Sequence, residues 1–212
     1  MKKTTLKKMM LGLATMILSM GILVACGNNS ETGKNTETQK EEALQLLSES
    51  ELDGVTFKRG DVFADMSVTA TDGTTYKISE LLKEKKAVVL NFWFINCGPC
   101  RMEFPYMQEA YNTYKDDLEI LAVNPTEDTS EKIADYKNQM ELVFPMAKIG
   151  EEWIQRMQLE GYPTTVVIDR YGKISFMHVG MITNVEDFNK IFEFFTADDY
   201  EHTVIRNISD IK

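Results

Sequence analysis

Apolar residues along this 212-residue chain fall into segments of different period, separated by polar stretches. Residues 9–25 are almost continuously apolar, with Thr15 and Ser19 as mild interruptions. Residues 27–50 are rich in Asn, Ser, Glu, Thr, Lys and Gln, a composition that buries no core and predicts a flexible tether. Residues 62–71 and 75–78 flank Asp72-Gly73 and predict a hairpin of two short strands. Ser79 predicts the N-cap of a short helix that ends near Leu82. Residues 87–94 are apolar apart from Asn91, the pattern of a central strand buried on both faces. Met107, Ala110, Tyr111 and Tyr114 then recur at i, i+3, i+4 and i+7, the stripe of a helix packed on a sheet.

The same reading predicts a strand over 118–123, a helix over 130–140 with Ile133, Tyr136 and Met140 on one face, and another helix over 153–159. Residues 164–168 and 173–179 predict a strand pair around Tyr171-Gly172. Asn184 caps a last helix whose Val185, Phe188, Ile191, Phe192 and Phe195 share a face. The order βαβ…αββα predicts an α/β fold, a mixed central β-sheet flanked by helices. Residues 53–198 suit one domain in length, and 199–212 read as a C-terminal tail, loose from about Thr203.

The chain's start changes the picture. Lys2, Lys3, Lys7 and Lys8 precede the apolar run, which ends at Leu23-Val24-Ala25-Cys26. A charged region, an apolar region and small residues before a cut describe a secretory signal over 1–25. Leu-Val-Ala-Cys resembles the bacterial lipoprotein signal, which implies lipidation of Cys26 and a tether over 26–52 on the extracytoplasmic face of the cell membrane. An uncleaved anchor is the alternative, although the run is slightly short for a span of ~20 residues. Removing 1–25 takes away four lysines and no acids, leaving 19 Lys+Arg against 33 Asp+Glu, a net charge near −14. That balance argues against nucleic acid as a partner, because phosphate binding needs clustered cations.

Three cysteines are present. With Cys26 lipidated, Cys97 and Cys100 remain, in Cys97-Gly98-Pro99-Cys100 at a strand-to-helix junction. A single pair in an exported chain points to thiol–disulfide chemistry rather than to a structural staple. A Cys at a helix N-terminus faces unpaired N–H groups and the positive end of the helix dipole, and both favour thiolate. Cys97 is therefore the expected attacking sulfur. Cys100, one turn further in, is the expected resolving one. Pro99 fits a first turn, where its missing N–H has no helical partner anyway.

Phe92-Trp93 followed by Cys97-Gly98-Pro99-Cys100-Arg101 resembles thioredoxin. Cys100-Arg101-Met102-Glu103-Phe104-Pro105 narrows the resemblance to the TlpA/ResA-like thiol–disulfide oxidoreductases, and Phe144-Pro145 and Gly161-Tyr162-Pro163-Thr164-Thr165 agree with it. The likeness spans about residues 60 to 197. It implies a thioredoxin-like fold with an N-terminal β-hairpin extension and an inserted helix. It implies that Pro163 is the family's cis-proline, and that Tyr162, Pro163 and Trp93 bind substrate, Tyr162 through its backbone. Cis X–Pro is otherwise the minority state.

Thioredoxin carries a buried Asp where this chain has Asn91, which takes up no proton. The resemblance moves that role to Glu103, whose pKa partial burial would raise enough for it to act as base for Cys100. The family often has Trp where Asn96 stands, so an aromatic shield beside Cys97 is lost. The reading is an extracytoplasmic reductase of disulfides in exported client proteins. It would be a monomer, with no metal and no cofactor beyond the redox-active pair, recharged by a membrane electron donor of the CcdA/DsbD type. The rivals are a peroxiredoxin-like peroxidase, which would want Thr where Phe94 stands, and a metal-carrier or binding lipoprotein with an idle Cys pair. His178 reads as structural and His202 as solvated.

Overall fold

The structure, a computed structural model, describes residue 44 and residues 46–212. Cys26, the signal and most of the expected tether lie outside the described residues. The elements run β1 (Ser67–Thr69), β2 (Thr75–Lys77), α1 (Ile78–Glu84), β3 (Ala87–Phe92), α2 (Gly98–Tyr114), β4 (Leu118–Asn124), α3 (Ser130–Gln139), β5 (Met146–Lys148), α4 (Glu152–Arg156), β6 (Thr164–Asp169), β7 (Ile174–Val179) and α5 (Val185–Thr196). β1 and β2 pair antiparallel around Asp72-Gly73, and Gly73 takes the positive φ of 86° that its turn needs.

The remaining strands form one sheet in the order β5-β4-β3-β6-β7. β3 pairs parallel with β4 and antiparallel with β6. β4 pairs parallel with β5, and β6 antiparallel with β7. β3 is thus central, and every one of its residues is buried. Its odd positions, Val89 and then Trp93 just beyond it, face α2 and α5 with Phe104, Met107, Phe188 and Phe192. Its even positions, Val88, Leu90 and Phe92, face Phe57, Phe63, Ile78, Leu82 and Trp153. Two apolar faces explain a strand that reads as a run rather than an alternation.

Three sequence expectations are corrected. β5 was not foreseen, being three residues held between Phe144-Pro145 and α4. The domain starts before residue 53: Leu47 N–H donates to Phe63 C=O at 2.9 Å, Asp65 N–H donates to Leu47 C=O at 2.7 Å, and Leu52 is buried. Residues 199–212 are no loose tail, because Tyr200, Ile205 and Ile211 are buried. Ile205 N–H donates to Ser175 C=O at 2.8 Å, laying this segment beside β7.

The tail is fastened by one buried carboxylate. Asp169 Oδ1 accepts from the backbone N–H groups of Tyr171 and Lys173 at 2.9 and 3.1 Å. Its Oδ2 accepts from Ser175 Oγ at 2.6 Å and Tyr200 OH at 3.0 Å, and lies 2.7 Å from His202 Nδ1. His202 is therefore a packed partner of Asp169, not a solvated side chain.

Candidate active site

β3 delivers the chain to the N-terminus of α2 through residues 93–97. Trp93 N–H still donates to Val123 C=O at 3.2 Å, and Cys97 N–H donates to Phe94 C=O at 3.1 Å, closing a tight loop. Cys97 is the N-cap of α2, with extended backbone at φ −76° and ψ 100°. Its Sγ accepts from the Cys100 N–H at 3.2 Å. Ser, Thr, Asn and Asp usually supply this bond at a helix start; here a sulfur takes it, so the group that would carry negative charge in the reduced state already faces a helix donor. Cys97 and Cys100 are joined by a disulfide, Cα–Cα 5.3 Å. Cys97 is 4% exposed and Cys100 fully buried, while Asn96, Gly98 and Pro99 around them are exposed.

The Tyr162–Pro163 peptide bond is cis. This segment lies against the redox loop, with the Tyr162 and Phe94 rings edge to face at 5.3 Å between centroids. Gly180 N–H donates to Pro163 C=O at 2.8 Å, which ties the segment to the end of β7.

Glu103, one turn after Cys100, is fully buried. Its Oε1 accepts from Asn91 Nδ2 at 2.8 Å and its Oε2 from the Ile182 N–H at 2.9 Å. Burial pushes its pKa from the ordinary 4.5 up to about 7, against the downward pull of the two hydrogen bonds. Positions i and i+3 share a helix face, so the carboxyl lies on the side of α2 from which Cys100 projects.

Trp93, expected among the substrate contacts, is corrected: its indole is fully buried between Phe104 and Tyr136, each ring 5.2 Å away. A side chain of this parity just beyond β3 belongs to the core under α2.

Asp128 was missed. Its Oδ2 accepts from the Ile95 N–H at 2.8 Å, from Asn124 Nδ2 at 2.9 Å and from Thr126 Oγ1 at 3.3 Å. Partial burial works to raise the carboxyl's pKa, but these hydrogen bonds together hold it below the usual range. The carboxylate pins the loop before Cys97 to the loop after β4. The sequence signal was the polar run Asn124-x-Thr126-x-Asp128 directly after an apolar strand. Ile182 was missed as well, because it contributes through its backbone and no side-chain pattern announces it.

Among the described residues no group of three or more His, Cys, Asp or Glu side chains is placed to hold a metal ion. Among them no helix is long and apolar enough to cross a membrane.

Residues 59–177 match the AhpC/TSA family. The thioredoxin-like protein YneN of Bacillus subtilis (strain 168) is 32% identical over 135 residues, covering 62% of this chain and 78% of that one. The thiol-disulfide oxidoreductase ResA of Halalkalibacterium halodurans is 32% identical over 140 residues, covering 64% and 78%. Among solved structures, a thiol:disulfide interchange protein of the thioredoxin family from Chlorobium tepidum TLS superposes with a TM-score of 0.56 at 24% identity, covering 67% of this chain and 100% of its own. That likeness gives the fold as thioredoxin-like.

Proposed function

Because the chain belongs to the AhpC/TSA family, as a thiol–disulfide oxidoreductase of the TlpA/ResA-like group with a thioredoxin fold, we propose that it reduces disulfides in exported client proteins through Cys97 and Cys100. One observation carries the reading: Cys97, joined to Cys100, caps α2 on a loop whose Phe94 packs on Tyr162 next to cis-Pro163 in the chain, with a buried carboxyl one turn behind the inner sulfur. In the reduced enzyme the Cys97 thiolate attacks one sulfur of a client disulfide. A mixed disulfide forms and the other client sulfur leaves as thiolate. Glu103, ionised, takes the Cys100 proton. The Cys100 thiolate attacks Cys97 Sγ, the Cys97–Cys100 bond forms, and the second client sulfur leaves. Two electrons have passed to the client, and Glu103 holds one proton.

The backbone N–H and C=O of Tyr162 make no backbone hydrogen bond within the described residues. They are free to pair with an extended client segment, the role the family resemblance implies for them. Met102 and Tyr106, exposed at i and i+4 on α2, offer a client apolar contact on that helix. The Lys-rich start, the apolar run and Cys26 support export and lipid anchoring on the extracytoplasmic face. A donor of the CcdA/DsbD type would return the electrons. Gly98-Pro99 is thioredoxin's own intervening pair and supports the reducing direction. Potentials in this fold run from roughly −270 to −120 mV, about 7 kcal/mol for two electrons.

A Cys100→Ser variant expressed with its signal should accumulate mixed disulfides with client proteins through Cys97, visible as reductant-sensitive bands. Absence of such adducts, together with rapid peroxide consumption or tight copper binding by the wild type, overturns the reading. A measured potential above about −180 mV makes the protein an oxidant instead. The peroxidase reading lacks its Thr: Phe94 stands there and packs on Tyr162.

A further inference from the structure

Asn91 is fully buried on β3, at the centre of the sheet. Its Nδ2 donates twice, to Glu103 Oε1 at 2.8 Å and to Thr165 Oγ1 at 3.2 Å. Its Oδ1 is also buried and has no partner among the described residues. Buried acceptors left without a donor are uncommon in folded proteins and call for a reason. Glu103 supplies one. Both of its oxygens accept hydrogen bonds, an arrangement suited to a carboxylate. Yet burial brings its acid form into the neutral range. A buried carboxylic acid must also donate its O–H to something. Asn91 Oδ1 is the acceptor left over.

The exchange is mechanically simple. The terminal torsion of Asn is broad and roughly two-fold, and the amide's oxygen and nitrogen ends have nearly the same shape. A half-turn puts Oδ1 where Nδ2 stood, toward Glu103 Oε1 and Thr165 Oγ1. The Thr165 hydroxyl is donor and acceptor at once, so it reverses with the amide. Either orientation makes two hydrogen bonds, and either leaves one amide atom unpartnered.

We propose that Asn91 is a positioning residue that reverses its amide as Glu103 gains or loses a proton, donating to the carboxylate and accepting from the acid. This rests on the assignment of Glu103 as proton acceptor for Cys100, and deepens it. Where thioredoxin carries its buried acid, an amide here lets Glu103 keep an anchored geometry in both states without a competing charge.

Few other titratable groups face this cluster. Cys97 and Cys100 lie on its own helix and are silent while joined. Across the sheet, Thr165 is in register with His178 of β7, which burial holds below its usual pKa and which feels Asp187 at the start of α5. The segment before α5 contributes the Ile182 N–H, an uncharged donor.

The test is NMR titration of the oxidised protein without client, following Glu103 Cδ and the Asn91 side-chain amide together. The Asn91 Nδ2 signals should change environment with the Glu103 midpoint and lose their contact to the Thr165 side chain in the acid form. In Glu103→Gln, whose amide donates permanently, they should hold the acid-form environment at every pH. That control keeps His178, so a change caused by His178 would survive in it. An Asn91 amide that keeps its Thr165 contact through the Glu103 titration, or one that still changes with pH in Glu103→Gln, overturns the proposal. No turnover is involved, so failure of client trapping and failure of this titration are separate results.

Discussion

Replacing Glu103 by Gln converts the buried carboxyl into a measurable pH dependence of stability. In the folded chain its pKa is about 7, against an ordinary 4.5. Between those values the folded state holds a proton that the unfolded chain has released. Stability therefore falls as pH rises through this window, is unaffected by the group below it, and carries the full penalty above it. At 1.36 kcal/mol per pH unit, the interval amounts to ~3 kcal/mol. Gln does not titrate, so it escapes the penalty and retains an oxygen for the Ile182 N–H. The unfolding free energy of oxidised Glu103→Gln minus that of oxidised wild type should be flat in acid, climb between about pH 4.5 and 7, and level off ~3 kcal/mol higher. With denaturant slopes of about 1–3 kcal/mol per M urea, the midpoints separate by ~1–3 M in alkali. Urea melts across pH on both disulfide-bonded proteins measure this. The same variant should resolve mixed disulfides about 100-fold more slowly, the scale of lost general-base catalysis. A stability difference that does not vary with pH refutes the burial argument, whatever happens to the rate.

Asp128→Ala removes the acceptor for the Ile95 N–H and for Asn124 Nδ2. It should cost ~1–3 kcal/mol and speed hydrogen exchange at the Ile95 amide by at least roughly tenfold, while an unchanged amide would detach Asp128 from the redox loop. Deleting residues 203–212 exposes the sites of Ile205 and Ile211. It should lower stability by ~3–6 kcal/mol at about 1.5–3 kcal/mol per buried aliphatic side chain, and a truncated chain that melts with wild type would contradict the packing described. Asp169→Ala strands four hydrogen-bonding groups of β7, the turn before it and Tyr200. It should cost ~3–5 kcal/mol by thermal or urea unfolding.

What could be seen in the sequence was whatever repeats locally. β3 announced itself as an apolar run because both of its faces are core. The stripe on α2 and the Asn184 cap, whose Oδ1 accepts from the Asp187 N–H at 2.8 Å, were equally local. Glu103 became conspicuous only through its spacing from Cys100 and a family resemblance; its burial depends on Asn91 and Ile182, 12 and 79 residues away. β5 is too short to show a period. Trp93 misled because an aromatic near a redox pair suggests contact with substrate, whereas strand parity turns it inward. The tail misled for the opposite reason: Tyr200, Ile205 and Ile211 follow no helical or strand period, and the polar anchor that holds them, Asp169, lies on another strand.

The two outer strands of the sheet have a further consequence. A rim strand with open N–H and C=O groups is a template on which a second chain can add itself. Here each rim is already partly taken from within the molecule. Thr71 N–H donates to Met146 C=O on β5, and Ile205 N–H, Gly60 N–H and Asp61 C=O occupy Ser175 and Ile174 on β7. A second copy would find less free backbone on these rims to add itself to, and part of that cover comes from the tail that read as loose.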